Sequence, residues 1–278
     1  MREITVEELR KIQLDILKSF ADFCEENGLN YYLSGGTLLG AVRHKGYIPW
    51  DDDIDIMMPR KDYEFAMKNY CTSIYKAISI ENYKDYWDLA GRIIDSRTLL
   101  NIAYEKKPTG VYIDVFPIDG VPKNRLAQKF EFAIEYLLIM LNRSTVLKRQ
   151  PSHLYKNTNL ASHIKNRFRT IVKYLMITLM GSTNPSLWVR LIHYVARRYP
   201  FDTNRQVAVA VLGNHGTHEI VSGQVYRDKI LLPFENQSFW GPVGYDIYLR
   251  QIYGNDYMSI PPVDKRISNH NFKAYWIE

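Results

Sequence analysis

Residues 33–59 read LSGGTLLGAVRHKGYIPWDDDIDIMMP, and the rest of the chain is best understood outward from them. The stretch holds a glycine pair, Gly35-Gly36, a short helical run from Thr37, the basic trio Arg43, His44 and Lys45, and four aspartates. Asp53 and Asp55 alternate with Ile54 and Ile56, which is the period of a β-strand. That spacing turns both carboxylates to one face and both isoleucines to the other. Neighbouring carboxylates repel, so folding alone gives little reason to pair them. A divalent cation removes the repulsion, and Mg²⁺, with Mn²⁺ as the alternative, is the expected guest of an oxygen-only site. The expected chemistry is metal-dependent phosphoryl transfer.

Leu29–Leu33 reads as a short strand delivering the chain to the glycines. Two glycines between strand and helix let the backbone approach a ligand closely. The N–H groups of the helix begun by Thr37, Leu38 and Leu39 then suit a phosphate. Alone, such a pair is weak evidence and reads more often as a plain tight turn, and the aspartates downstream give it weight. A second strand is expected over Gly110–Pro117, with Val111, Ile113 and Val115 on one face and Tyr112, Asp114 and Phe116 on the other. A carboxylate inside so apolar a strand is costly unless paired or metal-bound. If the two strands are neighbours, Asp53, Asp55 and Asp114 converge on one or two ions that neutralise and orient a diphosphate. Asp51 and Asp52 are expected in supporting or solvated positions, and Asp119-Gly120 as an ordinary turn. Strand rise separates Asp53 and Asp55 by about 7 Å, which on distance alone leaves a two-carboxylate glycosidase open. The glycine turn and the third aspartate favour the metal. Walker, Rossmann, serine-hydrolase and zinc-spacing motifs are absent from the sequence.

At 278 residues the chain can bury a full core, and 46% hydrophobic with 24% charged residues places it among globular proteins. Cys24 and Cys71 are too few for a disulfide framework and fit buried thiols in a reducing compartment. The N-terminus is charged, and the longest apolar runs, Tyr136–Leu141 and Tyr174–Gly181, fall short of the roughly 20 residues that span a bilayer. A cytoplasmic protein, soluble or peripheral to a membrane, is expected. The net charge of +6 is uneven: residues 121–205 carry 15 Lys and Arg against three acids, Glu131, Glu135 and Asp202. Lys148, Arg149, Lys165, Arg167, Arg169, Lys173, Arg190, Arg197 and Arg198 interleave there with apolar and aromatic residues. Such helices suit an anionic membrane surface, the plain alternative being a solvated basic face over a normal core. No motif points to a nucleic-acid partner.

Elsewhere, Thr5 and Glu8 form a capping box for a helix ending at Asn27-Gly28, Asp62–Tyr70 reads as helix, and Val207–Val211 as strand. Beyond that strand the chain reads as irregular. No repeat or linker divides it. The expected organisation is one catalytic domain, with residues 1–120 as core, 121–205 as a basic helical insertion, and 206–278 completing the core.

SGGTLLGAVRHKGYIPWDDDIDI resembles the hallmark of the LicD family, a branch of the nucleotidyltransferase superfamily. GVYIDVFPIDG, YDIYLRQIYG and the PP…RISNH segment are similar to later parts of that family. The resemblance covers both ends of the chain and leaves the basic middle undefined. It implies an α/β (α+β) fold, a nucleotidyltransferase-like mixed sheet flanked by helices, and transfer of a phosphorylated alcohol, typically phosphocholine from CDP-choline, to a sugar hydroxyl. The implied acceptors are cell-surface glycans such as teichoic acid precursors or lipooligosaccharide, and a lipid-linked acceptor would bring the enzyme to the inner membrane face. By position, Gly35 and Gly36 match the family's glycine turn, Asp53 and Asp55 its metal pair, and Asp114 its third carboxylate. Thr37, Arg43, His44, Arg92, Arg266 and His270 are candidates to hold the donor phosphates. Tyr47, Trp50 and Tyr112 are candidates to cage a trimethylammonium group or stack a base. Asn236 departs from the glycine expected after Phe234-Glu235. The nearest alternative is a nucleotidyltransferase that moves an NMP and releases pyrophosphate. A non-catalytic glycan- or lipid-surface binding protein is the alternative from another class.

Overall fold

The computed structural model describes residues 1–102, 108–146, 178–179, 182–212, 216–266 and 272–277. His270 and the cations Lys148, Arg149, Lys165, Arg167, Arg169 and Lys173 lie outside these residues. After a two-residue strand β1 (Arg2–Glu3), Thr5 caps helix α1 (Val6–Glu26), and the Thr5–Glu8 capping box is formed in both directions. The apolar stripe Leu9, Ile12, Ile16, Phe20 is buried. Gly28, at φ +65°, ends the helix.

The central sheet runs β2 (Tyr32–Leu33), β3 (Asp55–Pro59), β7 (Tyr112–Gly120), β5 (Gly91–Asp95), β4 (Tyr75–Ile78). Strands β3 and β7 are parallel, while the other pairs are antiparallel. Strands β8 (Gln206–Ala208) and β9 (Val221–Ser222) extend it beyond the end of β7. Ile56, Val115, Ile93 and Ile113 are fully buried on one face. Helix α3 (Arg60–Asn69) packs there, Tyr63 and Met67 filling the space that a side chain on Gly91 would take. Phe20 and Phe23 of α1 meet Tyr70 edge-on on the same side. The opposite face carries Asp55, Asp114 and Arg92. Strand β6 (Thr98–Ile102) joins β1 and β12 (Phe272–Trp276) in a separate small sheet.

Several expectations are corrected. Strand β3 begins at Asp55, so Asp53 stands just before it. Helix α2 (Gly35–Arg43) starts at the glycines themselves, and Ser34 is its N-cap residue. Helix α3 starts at Arg60, directly after Pro59. The Asp119-Gly120 pair is no turn. Strand β7 runs through it, and Asp119 is fully buried against the Arg60 guanidinium, with Arg60 Nε donating to Oδ1 at 2.8 Å and Nη2 to Oδ2. Arg60 Nη1 donates to His193 Nδ1 at 3.1 Å, which leaves His193 Nε2–H to donate to the Leu89 carbonyl at 3.0 Å. A buried ion pair with its remaining hydrogen bonds satisfied overrides the local turn preference of Asp-Gly.

The chain after Val211 is ordered where irregular structure was expected. Strand β8 is short and gives way to a 3₁₀ turn at Ala210–Leu212. Strands β10 (Lys229–Phe234) and β11 (Gln237–Pro242) form a hairpin, followed by helix α6 (Tyr245–Tyr253). The strained turn residue is Glu235, at φ +56°; Asn236 does not take a positive φ, so a glycine there is not required. Of the basic middle, helices α4 (Arg125–Val146) and α5 (Pro185–Ala196) are described and pack against each other. Among the described residues no helix is long and apolar enough to cross a membrane.

Candidate active site

Register brings the acids together. Asp55 of β3 lies directly across the parallel ladder from Asp114 of β7, and Asp114 pairs in turn with Arg92 of β5. Paired residues share a face, so the two carboxylates and the guanidinium form one row. Asp53 sits two residues upstream of Asp55, and Asp51 closes the group from the other side. A Cβ placed on Gly36 would lie 2.7 Å from Asp51 Oδ2, so only glycine admits that carboxylate. Gly35 has φ +48°, and a Cβ there would stand 3.6 Å from Asp55 Oδ2. The glycine turn and the carboxylates therefore touch.

The backbone around the acids is pinned from three sides. Ser34 N–H donates to the Asp55 carbonyl at 3.0 Å, and Asp55 N–H donates to Thr37 Oγ1 at 2.9 Å. Asp114 N–H donates to the Ile54 carbonyl at 2.9 Å. From α1, Arg10 Nη2 donates to the Pro49 and Asp51 carbonyls at 2.9 and 2.6 Å, and Gln13 Nε2 to the Asp52 carbonyl at 3.0 Å. Arg10 and Gln13 were not legible as site residues: in sequence they are two polar positions on an amphipathic helix. Glu235 was equally silent; its Oε1 accepts from Tyr47 N–H at 2.9 Å and fixes the Gly46 loop.

Crowding the acids has an electrostatic consequence. Burial first, and then the charges of Asp53, Asp114 and Asp51, push the Asp55 carboxyl well above its ordinary range. The Tyr253 hydroxyl, close to Gly35, is raised by burial and then by Tyr248, Asp55, Asp51 and Asp53, although the residue is partly exposed. Tyr253 closes the YDIYLRQIYG segment, the one signal that could have marked it. Asp51, given only a supporting place from sequence, stands as close to the turn as any of the acids.

The donor set is carboxylate oxygen throughout, which fits a hard divalent cation such as Mg²⁺ or Mn²⁺. Among the described residues no three acids, histidines or cysteines are drawn into a closed metal cage. The acids are assembled with Asp114 braced by protein: Arg92 Nε donates to Asp114 Oδ1 at 3.2 Å, its Nη2 pairs with Asp88, and its guanidinium carbon lies 3.9 Å from the Tyr112 ring centre. Arg92 thus orients Asp114, and among the described residues its Nη1 is buried without a hydrogen-bond partner.

The remaining candidates divide. Arg43 is spent on the C-terminal segment, Nη1 donating to the Tyr257 and Ser259 carbonyls at 2.8 and 3.1 Å. His44 accepts from Arg43 Nε at 3.3 Å and meets Trp50 edge-on, and burial, then the Arg43 charge, lowers its pKa. The Arg266 guanidinium lies 5.3 Å from the Trp50 ring centre, so Arg43, His44, Trp50 and Arg266 form one cluster beside Asp51. Tyr47 is a correction: it is buried between Arg10 and Phe234, its hydroxyl donating to the Arg10 carbonyl at 3.0 Å, and offers no open ring to a ligand. Tyr112 and Trp50 already carry guanidinium groups, which a trimethylammonium would have to displace.

A helix N-terminus begun by glycines is set against an acidic row on neighbouring strands, the arrangement expected of a nucleotidyltransferase-like site. Residues 28–143 match the family described as LicD/FKTN/FKRP, nucleotidyltransferase domain. The chain is 27% identical to the lipopolysaccharide cholinephosphotransferase LicD of Haemophilus influenzae over 99% of both chains. Human ribitol 5-phosphate transferase FKRP is 56% identical over 32 residues, 12% of this chain and 6% of that one. An uncharacterised protein of Rickettsia typhi is 31% identical over 42% of this chain and 38% of its own.

Proposed function

We propose that the protein transfers phosphocholine, or a related phospho-alcohol, from a CDP-activated donor to a hydroxyl of a cell-surface glycan of the lipopolysaccharide or teichoic acid type. The observation that carries this reading is the Asp55–Asp114 register beside Gly35-Gly36, in a chain alike over its whole length to a lipopolysaccharide cholinephosphotransferase. Asp53, Asp55 and Asp114 would hold Mg²⁺, which when bound neutralises the diphosphate charge. Gly35 and Gly36 let the donor phosphates approach the backbone, and the α2 N-terminus, which Ser34 does not cap with its side chain, favours their charge. The acceptor oxygen bonds to the choline-bearing phosphorus as the bond to the CMP oxygen breaks, and a carboxylate of the row takes the hydroxyl proton. Arg92 keeps Asp114 in place throughout.

Incubation with CDP-choline, CDP-ethanolamine, CDP-glycerol and CDP-ribitol in turn, with products read by mass spectrometry, tests this. One donor should yield CMP and a glycan heavier by the phospho-alcohol. Pyrophosphate as the product from a nucleoside triphosphate would contradict it.

The same reading places the enzyme at the cytoplasmic face of an anionic membrane. Helix α4 turns Leu126, Phe130 and Leu137 outward while burying Glu131 and Glu135. Of the three acids in residues 121–205, only Asp202 is not buried, in a stretch whose sequence holds 15 Lys and Arg. Co-sedimentation with vesicles should need anionic lipid; equal binding to neutral vesicles, or none to either, refutes this part.

A further inference from the structure

The sheet register extends the acidic row across the molecule. Arg92 pairs with Ile78 of β4, so the first row reads Asp55, Asp114, Arg92, Ile78, and the next reads Tyr112, Ile94, Lys76. All of these residues face the same side. Ile78, Ile94 and Lys76 therefore belong to the carboxylate face, at its β4 edge. The glycine turn reaches that face from the opposite flank, beside β2 and β3.

At the β4 edge, residues 79–90 fold over the sheet. Ile78 and Ile94 pack with Tyr86, Trp87 and Tyr112 in a cluster separate from the main core. Beside it opens a cleft of about 400 Å³, lined by Lys76, Tyr83, Lys84, Asp85, Trp87 and Thr109 among others. That volume accommodates a sugar ring and its linkage. The overlying segment is anchored: Asn142 Nδ2 donates to the Trp87 carbonyl at 3.1 Å, Arg190 Nη2 to the Lys84 carbonyl at 3.2 Å, and Asn184 Nδ2 to Asp85 Oδ1 at 3.1 Å.

The lining is two-natured. Tyr83 and Trp87 offer flat apolar surface to the C–H face of a pyranose, and Lys76, Lys84 and Asp85 offer both donors and acceptors to its hydroxyls. Thr109 Oγ1, in the wall, is buried without a hydrogen-bond partner among the described residues. Two lysines at the rim disfavour a trimethylammonium group. Phosphoryl transfer needs the attacking and leaving oxygens on opposite sides of phosphorus. With the donor phosphates on the glycine flank, as proposed above, an acceptor approaching from the β4 side meets that requirement.

We propose that this cleft is the acceptor subsite and binds an uncharged pyranose of the glycan. The inference rests on the phosphotransferase reading above, but sugar binding can be measured without turnover. Saturation-transfer NMR on the full chain would use the methyl pyranosides of glucose, galactose and N-acetylglucosamine as probes, with CMP as comparator. At least one glycoside should bind the wild type and bind Tyr83→Ala about tenfold more weakly, the equivalent of one lost aromatic contact. Tyr83 is 44% exposed, so the variant should fold. In the transfer assay the loss should fall on the acceptor KM and not the donor KM. Displacement of the glycoside by CMP, or no Tyr83-dependent glycoside binding, overturns the subsite. Failure of every donor to be cleaved while Tyr83-dependent binding persists removes the transferase reading and leaves a sugar site.

Discussion

Strand β7 carries two aspartates with opposite fates. Asp119 meets one guanidinium with both oxygens, is sealed from water, and has its partner Arg60 held by His193. Asp114 shares Arg92 with Asp88 and faces Asp55 across the ladder, with Asp53 and Asp51 close by. At one end of the strand a single carboxylate meets a single guanidinium, compensating its charge; at the other, several carboxylates crowd together and raise Asp55. Crowded like charge costs a fold stability, so the crowded end is the one proposed to work on a ligand, and the compensated pair holds the sheet to α3 and α5.

The comparison predicts separable losses. Asp55→Asn should lower transfer about a thousandfold, since cation-mediated charge stabilisation is worth several kcal/mol, while melting at or above the wild-type temperature because a repulsion is removed. Steady-state kinetics and a thermal melt check both halves; full activity would break the comparison. Asp119→Asn should do the reverse, costing about 3–5 kcal/mol in urea unfolding, with the folded fraction retaining its specific activity. Arg92→Lys, which cannot brace Asp114, span Asp88 and stack on Tyr112 together, should lower kcat about 10- to 100-fold.

How far the sequence disclosed this contrast depends on the range of the interaction. Alternation of Asp and Ile needs only neighbours, so the aspartates of residues 51–55 stood out at once. The parallel register that sets Asp114 opposite Asp55 is a tertiary fact with no local signature, and it could be stated only as a condition. Asp119-Gly120 misled because Asp-Gly is a turn signal wherever no distant Arg60 claims the carboxylate. The β10–β11 hairpin was missed because the strained position of its turn is a glutamate. Arg10 and Gln13 act through backbone carbonyls forty residues away or nearly so, and nothing in their own surroundings announces it.

A pH-dependent effect sharpens the picture of the compensated side. Glu135 on α4 is fully buried with neither oxygen hydrogen-bonded among the described residues, and burial, then the charges of Glu131 and Asp119, push its carboxyl from 4.5 up to about 9. The unfolded chain loses this proton near pH 4.5 and the folded protein only near 9, so the stability it contributes is complete below 4.5 and is lost as pH rises through that window. Glu135→Gln should match the wild type at acid pH and exceed it by several kcal/mol, on the order of 4, near pH 8, read from urea midpoints.

The most direct test of the central claim is Mn²⁺ titration followed by electron paramagnetic resonance, with CMP present, on the wild type, Asp55→Asn and Asp119→Asn. The account predicts that the wild type and folded Asp119→Asn bind the ion and that Asp55→Asn does not. Binding by all three alike, or by none, would contradict it.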